Sequence, residues 1–229
     1  MTVLTIRGVE KTFVLHVQGG ARLPVLRGVS LAVAAGECVV LADPSGAGKS
    51  TLLRSVYGNY KPQAGEILVR HGAETVDIVG AAPRRVLDIR RRTIGYVSQF
   101  LRVIPRVATE DVVAEPLRAQ GVGAEDARRR ARALMERLRI PERLWRLSPV
   151  TFSGGEQQRV NVARVFVARY PVLLLDEPTA SLDVESRAAV VELIQEARGR
   201  GAATLAIAHD PAVRAAIATR IVTLEEMAA

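Results

Sequence analysis

Five consecutive apolar residues, Cys38 to Ala42 (CVVLA), leave no polar position to face water. Such a run predicts a strand buried on both faces, as in the middle of a parallel sheet. VLLLD (172–176) and ATLAIAH (203–209) repeat the pattern. Between the runs the period changes. Leu52, Leu53, Val56 and Tyr57 recur at helical spacing, and Gly58 can close that helix. GEILVR (65–70) and TIGYVS (93–98) read as further strands, and residues 1–36 as short strands and turns. Residues 100–160 change character. Thr109 can cap a helix running toward Gly121, and a second helix over 124–140 stops before Pro141, its arginines forming a solvated face. Helices from Gly155 to about Tyr170, near 185–199 and at the end complete the chain. Strands alternating with helices predict an α/β fold with a parallel sheet. The expected organisation is one domain over 1–229: a mainly antiparallel β part at 1–36, an α/β core at 37–99 and 161–229, and a helical insertion at 100–160.

Composition alters this picture little. Of 229 residues 48% are apolar and 24% charged, enough for a sizeable core. No 18-residue apolar stretch and no signal-like N-terminus occurs, so no transmembrane segment is expected. The single cysteine, Cys38, excludes an internal disulfide and fits a reducing cytoplasm; within an apolar run it reads as a small core residue. The net charge of +8 admits acidic partners. Nearly all of it is arginine, which points to compositional bias. Lysine occurs only at 11, 49 and 61.

Lys49 lies in DPSGAGKST, residues 43–51. Gly48, Lys49 and Ser50 match the end of the phosphate-loop pattern, but Asp43 replaces its first glycine. Backbone N–H groups from Ser45 through Gly46, Ala47, Gly48 and Lys49 to Ser50 can wrap phosphates, with Thr51 following in the helix whose positive end faces the anion. Lys49 can reach the β- and γ-phosphates, and the Ser50 hydroxyl can bind Mg²⁺. Aspartate tolerates the backbone turn. Its charge would cost roughly 2 kcal/mol at about 7 Å from a phosphate, which several charge-assisted donors of roughly 1.5–3 kcal/mol each outweigh. ATP binding is therefore expected despite Asp43.

FSGGEQQRVNVAR begins at Phe152. Ser153, Gly154 and Gly155 open a helix whose first N–H groups are free, a second anion site. Asp176 and Glu177 end a buried strand, at the edge where open parallel sheets bind ligands. Two adjacent carboxylates there suit a divided role, one on Mg²⁺ and one as general base toward water.

With these motifs in this order, the chain resembles the ATP-binding cassette family over essentially its whole length: a P-loop NTPase core with an N-terminal antiparallel β subdomain and an inserted α-helical subdomain. The resemblance implies an ATP hydrolase using ATP and Mg²⁺. Gln99 looks like the glutamine that senses Mg²⁺ and the attacking water, and Ser153, Gly154, Gly155, Glu156 and Gln157 like the signature acting in trans. Asp176 looks like the magnesium-associated acid, Glu177 like the catalytic base and His209 like the switch histidine. Ser181 to Asp183 looks like the loop that crosses to the partner, and Phe13 like the aromatic that stacks on adenine. A second cassette subunit is implied, in a homodimer or a paralogous heterodimer.

Three readings of what the ATPase drives stand open: a membrane transporter, a DNA-repair or chromosome-organising ATPase, or a soluble metabolic complex. The second is disfavoured. Only residues 100–152 separate Gln99 from Ser153, leaving no room for long coiled coils, and zinc cysteines are missing, so no direct nucleic-acid partner is expected. The third comes from finer resemblance. KTFVLHVQGGARLPVLRGVSL, YGNYKPQAGEILVRHG, VSQFLRVIPRV, IPERLWRLSP and TFSGGEQQRVNVARVF look like the L-type ATPase subunit of the bacterial phosphonate carbon–phosphorus lyase system. This implies a cytoplasmic ATPase acting with soluble lyase core subunits. The associated step is a transferase reaction forming ribose 1-phosphonate 5-triphosphate from ATP and a phosphonate. Nothing in the sequence looks like a nucleosidase or radical centre, so ribose transfer is expected on other subunits. Phe100, Leu101 and Ile104 either dock a partner or pack within the helical block, and Trp145 reads as packing near the signature.

Overall fold

A computed structural model describes residues 1–15, 17, 19–101 and 105–228. Its first two strands, β1 (Thr2–Leu15) and β2 (Ala21–Ala34), are fourteen residues each, longer than the short strands expected. They run antiparallel through register shifts, between Ile6 and Val9 among others. Bulges of this kind let a strand bend without ending, so a broken alternation of apolar residues still belongs to one strand. β4 (Ala64–His71) pairs with β1 and β5 (Glu74–Asp77) with β4, giving an antiparallel sheet in the order β2-β1-β4-β5. The antiparallel sheet thus draws in residues 64–77 as well as 1–36.

The second sheet holds β3 (Cys38–Leu41), β6 (Ile94–Val97), β7 (Val172–Asp176), β8 (Ala203–Ile207) and β9 (Arg220–Val222), all parallel, in the order β6-β7-β8-β3-β9. Its unbroken apolar runs are explained by cover on both faces. Val39, Leu41, Val172 and Leu174 pack toward the antiparallel sheet and α1 (Lys49–Val56), while Cys38, Val40, Leu173 and Leu175 pack toward the helical side. Cys38 is fully buried and its thiol is pushed up to about 12 by burial, as befits a core residue.

On the helical side lie α3 (Thr109–Ala119), α4 (Ala124–Arg137), α5 (Gly154–Phe166) and α6 (Val184–Gly199); α2 (Pro83–Arg92) and α7 (Pro211–Ile217) complete the set. Thr109 does not cap α3. Its hydroxyl donates to Leu147 O at 2.8 Å, and the first N–H groups of the helix donate to Leu147 O and Trp145 O. Trp145 and Leu147, within IPERLWRLSP, therefore supply the carbonyls that engage the first turn of α3. Trp145 packs against the helical core, with its indole N–H on Ile140 O at 2.9 Å. Leu101 joins this core and Phe100 remains 71% exposed, so the two do not form one patch; Ile104 lies outside the described residues.

Candidate functional site

The loop from Ala42 to Gly48 joins β3 to α1 at the carboxyl end of the parallel sheet. Gly48 holds φ +107°, and a Cβ there would lie 2.7 Å from Val25 Cγ1, so backbone conformation and β2 together require glycine. No side chain caps α1, which leaves its first N–H groups directed at the loop. Lys49 is 5% exposed and its ammonium donates to Asp43 O at 2.5 Å and Pro44 O at 2.7 Å. The lysine is thus held against carbonyls of its own loop.

The Asp43 side chain turns toward the C-terminal segment. Both of its carboxylate oxygens accept the Leu224 N–H, at 2.9 and 3.0 Å. These bonds direct the carboxylate at the C-terminal segment and hold its position without removing its charge.

Two strand ends meet α1. Asp176, at the end of β7 and 1% exposed, accepts the Ser50 hydroxyl at 3.1 Å on Oδ1 and the Tyr96 hydroxyl at 3.2 Å on Oδ2. Burial raises its pKa above the ordinary carboxylate value, against the two hydrogen bonds that lower it. Tyr96 is pushed up to about 12, by burial first and then by the Asp176 charge, and so stays a donor at neutral pH. The next residue, Glu177, sits at φ +53°, and its Oε1 lies 3.3 Å from His209 Nε2 just beyond β8. Gln99 is exposed in the loop leaving β6, the strand beside β7. Ser50 and Asp176 form an oxygen pair of the kind Mg²⁺ uses alongside phosphate oxygens; the donors present fit that ion.

Around α5 the signature residues form a capping box. Ser153 Oγ accepts the Glu156 N–H, and Glu156 Oε2 accepts the Ser153 N–H at 2.9 Å and hydroxyl at 2.7 Å. The Ser153 bonds hold the Glu156 carboxyl below its ordinary value. Gly154 is exposed and Gln157 donates to Phe152 O at 3.0 Å. A Cβ on Gly155 would lie 2.7 Å from Ser181 O, so the signature helix and the loop at 181–183 meet backbone to backbone. Ser181 is exposed at φ +60°. Asp183 caps α6, accepting the Ser186 N–H at 2.8 Å; its carboxylate is engaged within the chain.

Phe13 is half-buried, with Tyr60 edge-on at 5.2 Å and Lys11 Nζ over its ring at 5.1 Å. Sequence reasoning missed Tyr60. It also missed Tyr96, Gln158 (donating to Glu177 O at 3.1 Å) and Asn161 (donating to Ser98 O at 2.5 Å). Gln158 and Asn161 are buried polar residues one turn apart on α5; that spacing on an otherwise apolar face was the available signal.

A model of the ABC transporter family matches residues 26–180. The lipoprotein-releasing system ATP-binding protein LolD of Maricaulis maris is 41% identical over 209 residues, covering 91% of this chain and 88% of that protein. The arginine transport ATP-binding protein ArtP of Haemophilus influenzae is 35% identical over 199 residues, covering 86% and 81%. Among solved structures, the dimeric structure of MJ0796, a bacterial ABC transporter cassette, superposes with a TM-score of 0.87 at 28% identity, covering 96% of this chain and 93% of that one. Another MJ0796 structure, a dimeric post-hydrolysis state bound to ADP and Pi, gives 0.86. These relatives are named for transport and not for phosphonate breakdown. The cassette fold expected from the motifs is the fold observed, and the chain belongs to the ABC transporter family of ATP-binding proteins.

Proposed function

We propose that the chain is an ATP-hydrolysing, nucleotide-binding subunit of a membrane transporter. The observation that carries the chemistry is the convergence of Lys49, Ser50, Asp176, Glu177 and His209 at one sheet edge, with Ser50 on Asp176 and Glu177 beside His209. Loop N–H groups from Ser45 to Thr51 and the Lys49 ammonium, once released from Asp43 O and Pro44 O, bind the phosphates. Ser50 and Asp176 would hold Mg²⁺, with Gln99 as the residue that senses it, and the ion would supply neutralisation of phosphate charge. Glu177 accepts the proton of the attacking water as the bond from the γ-phosphorus to the ADP oxygen breaks, and His209 orients Glu177 and the γ-phosphate. Phe13 stacks on adenine. Ser153 to Gln157 meet the nucleotide of a second cassette, with Ser181 in the crossing loop. Asp183 serves that loop through its cap on α6.

The transport reading is supported by the names of LolD and ArtP. Those names specify different cargoes, so partner chains would set the cargo. No helix among the described residues is long and apolar enough to cross a membrane, so in this reading the described part contributes no span. A second reading, an ATPase of the phosphonate carbon–phosphorus lyase system with soluble partners, is favoured by one specific observation. Its resemblance includes VSQFLRVIPRV and IPERLWRLSP, segments outside the shared nucleotide motifs.

Affinity capture of Glu177→Gln with ATP and Mg²⁺, followed by mass spectrometry of membrane and soluble fractions, separates the two. Membrane permease subunits in the capture support the transporter. Soluble lyase subunits overturn it in favour of the phosphonate system. Substituting the general base should also lower turnover by about 10²–10⁴-fold while ATP still binds.

A further inference from the structure

Behind the nucleotide face, α1, α2, β6, α3 and α5 border a cavity of about 660 Å³. The chain has four tyrosines, and all of them, Tyr57, Tyr60, Tyr96 and Tyr170, line it together with Arg54 and Arg90. Tyr96 touches both this cavity and the nucleotide site. Its ring packs on Tyr57 at 5.0 Å between centroids, and its hydroxyl donates to Asp176 Oδ2 at 3.2 Å. On the cavity side Arg54 bonds the Tyr60 hydroxyl at 3.1 Å and also engages Tyr96. Arg90 stacks over Tyr57 at 4.6 Å and bonds Tyr57 O at 2.8 Å, so the tyrosine that braces Tyr96 is itself fixed.

The geometry at Asp176 gives this bond a specific consequence. Ser50 occupies one carboxylate oxygen and Tyr96 the other. With both oxygens tied, rotation of the carboxylate about its Cβ–Cγ bond is restricted. If Ser50 turns toward a cation, Tyr96 alone still fixes the plane. Partners of this sort set the orientation of a ligating group and tune its affinity.

We propose that Tyr96 is a positioning residue for the Asp176 carboxylate, orienting it toward the divalent cation of the nucleotide and tying it to the cavity wall. This rests on the reading of Asp176 as the magnesium-associated acid. Tyr96 also stands three residues before Gln99 on the same chain segment, so a shift of the end of β6 moves both.

The test compares the wild type, Tyr96→Phe and Asp176→Asn. Tyr96→Phe keeps the ring on Tyr57 and deletes only the hydroxyl. Mn²⁺ binding in the presence of ATP is read by electron paramagnetic resonance. Affinity for trinitrophenyl-ATP is read in EDTA, and the unfolding midpoint is measured for each protein. Tyr96→Phe should bind Mn²⁺ about tenfold more weakly, with cation-free nucleotide affinity unchanged and the unfolding midpoint lowered by no more than about 2–6 °C, the loss of one hydrogen bond to a charged acceptor. Wild-type Mn²⁺ affinity in Tyr96→Phe, with Asp176→Asn impaired, overturns the positioning role and leaves the reading of Asp176 intact. Wild-type affinity in Asp176→Asn overturns both. A Tyr96→Phe protein that binds nucleotide poorly in EDTA assigns the hydroxyl to structure and overturns the proposal.

Discussion

Asp43 accepts the Leu224 N–H with both carboxylate oxygens, tying the start of the phosphate loop to a C-terminal segment whose Leu224 and Met227 are buried. A hydrogen bond to a charged acceptor contributes about 1.5–3 kcal/mol, discounted here because Asp43 is half-exposed. Asp43→Ala should therefore lower the unfolding midpoint by about 2–6 °C for a chain of this size, with little change in ATP affinity at low or high salt. Calorimetry and nucleotide titration check both parts. A gain in ATP affinity confined to low salt would restore the repulsion argument. The residue types of the site were legible in the sequence because phosphate binding and cation binding need particular chemistry at fixed spacing. The direction of the Asp43 side chain was not, since its partner is 181 residues away.

At the scale of elements, α5 offers two adjacent glycines with different demands. A Cβ on Gly155 would overlap Ser181 O at 2.7 Å, whereas one on Gly154 meets nothing within 4 Å among the described residues. Gly155→Ala should cost about 1–3 kcal/mol through overpacking. Gly154→Ala should stabilise the isolated chain by up to about 1 kcal/mol, as in other helices, yet lose turnover if a second cassette's phosphates approach that position. Denaturant unfolding and ATPase assays on both variants separate the effects. Two helix caps also carry a pH dependence. Asp183 and Asp210 are held below the ordinary carboxylate value by backbone N–H groups of α6 and α7, for Asp210 those of Val213 and Ala212. A depressed folded-state pKa stabilises above the unfolded value, near 3.9, and that stability is lost as pH falls through the folded value. The unfolding midpoint should thus stay insensitive to these groups above about pH 4 and fall below it, more shallowly in Asp183→Asn/Asp210→Asn. Helix α1 was legible from its apolar period closed by Gly58 and α5 from the residues that open it, whereas the Asp183 cap of α6 was read only as part of a crossing loop. The long β1 and β2 were hidden by bulges that break alternation, and the N-terminal partners of α3 by their place in the chain, the carbonyls of Trp145 and Leu147.

For the molecule as a whole, the exposed residues are the informative ones. Pro44 to Gly46 of the phosphate loop and Ser153 and Gly154 of the signature both face solvent within one chain, while the supports behind them, Lys49, Gln158 and Asn161, are buried. Rigid, well-braced motifs left open to solvent are what a surface completed by a second cassette requires, and the MJ0796 structures of the same fold are described as dimeric. This can be tested by complementation. Lys49→Ala removes the phosphate contact and keeps a normal signature; Gly154→Arg blocks the signature and keeps a normal phosphate loop. Each alone should be nearly inactive. In a mixture, hybrid dimers contain one site built from the intact loop of one protein and the intact signature of the other. ATPase activity should therefore reappear on mixing and rise with total protein concentration. Recovery would show that the active unit is a head-to-tail pair of this chain. Failure to recover, with the unmutated protein also inactive alone, would mean that the complementary signature belongs to a paralogous cassette. Wild-type turnover that stays proportional to protein concentration far below any dimer dissociation constant would mean that a single chain completes its own site.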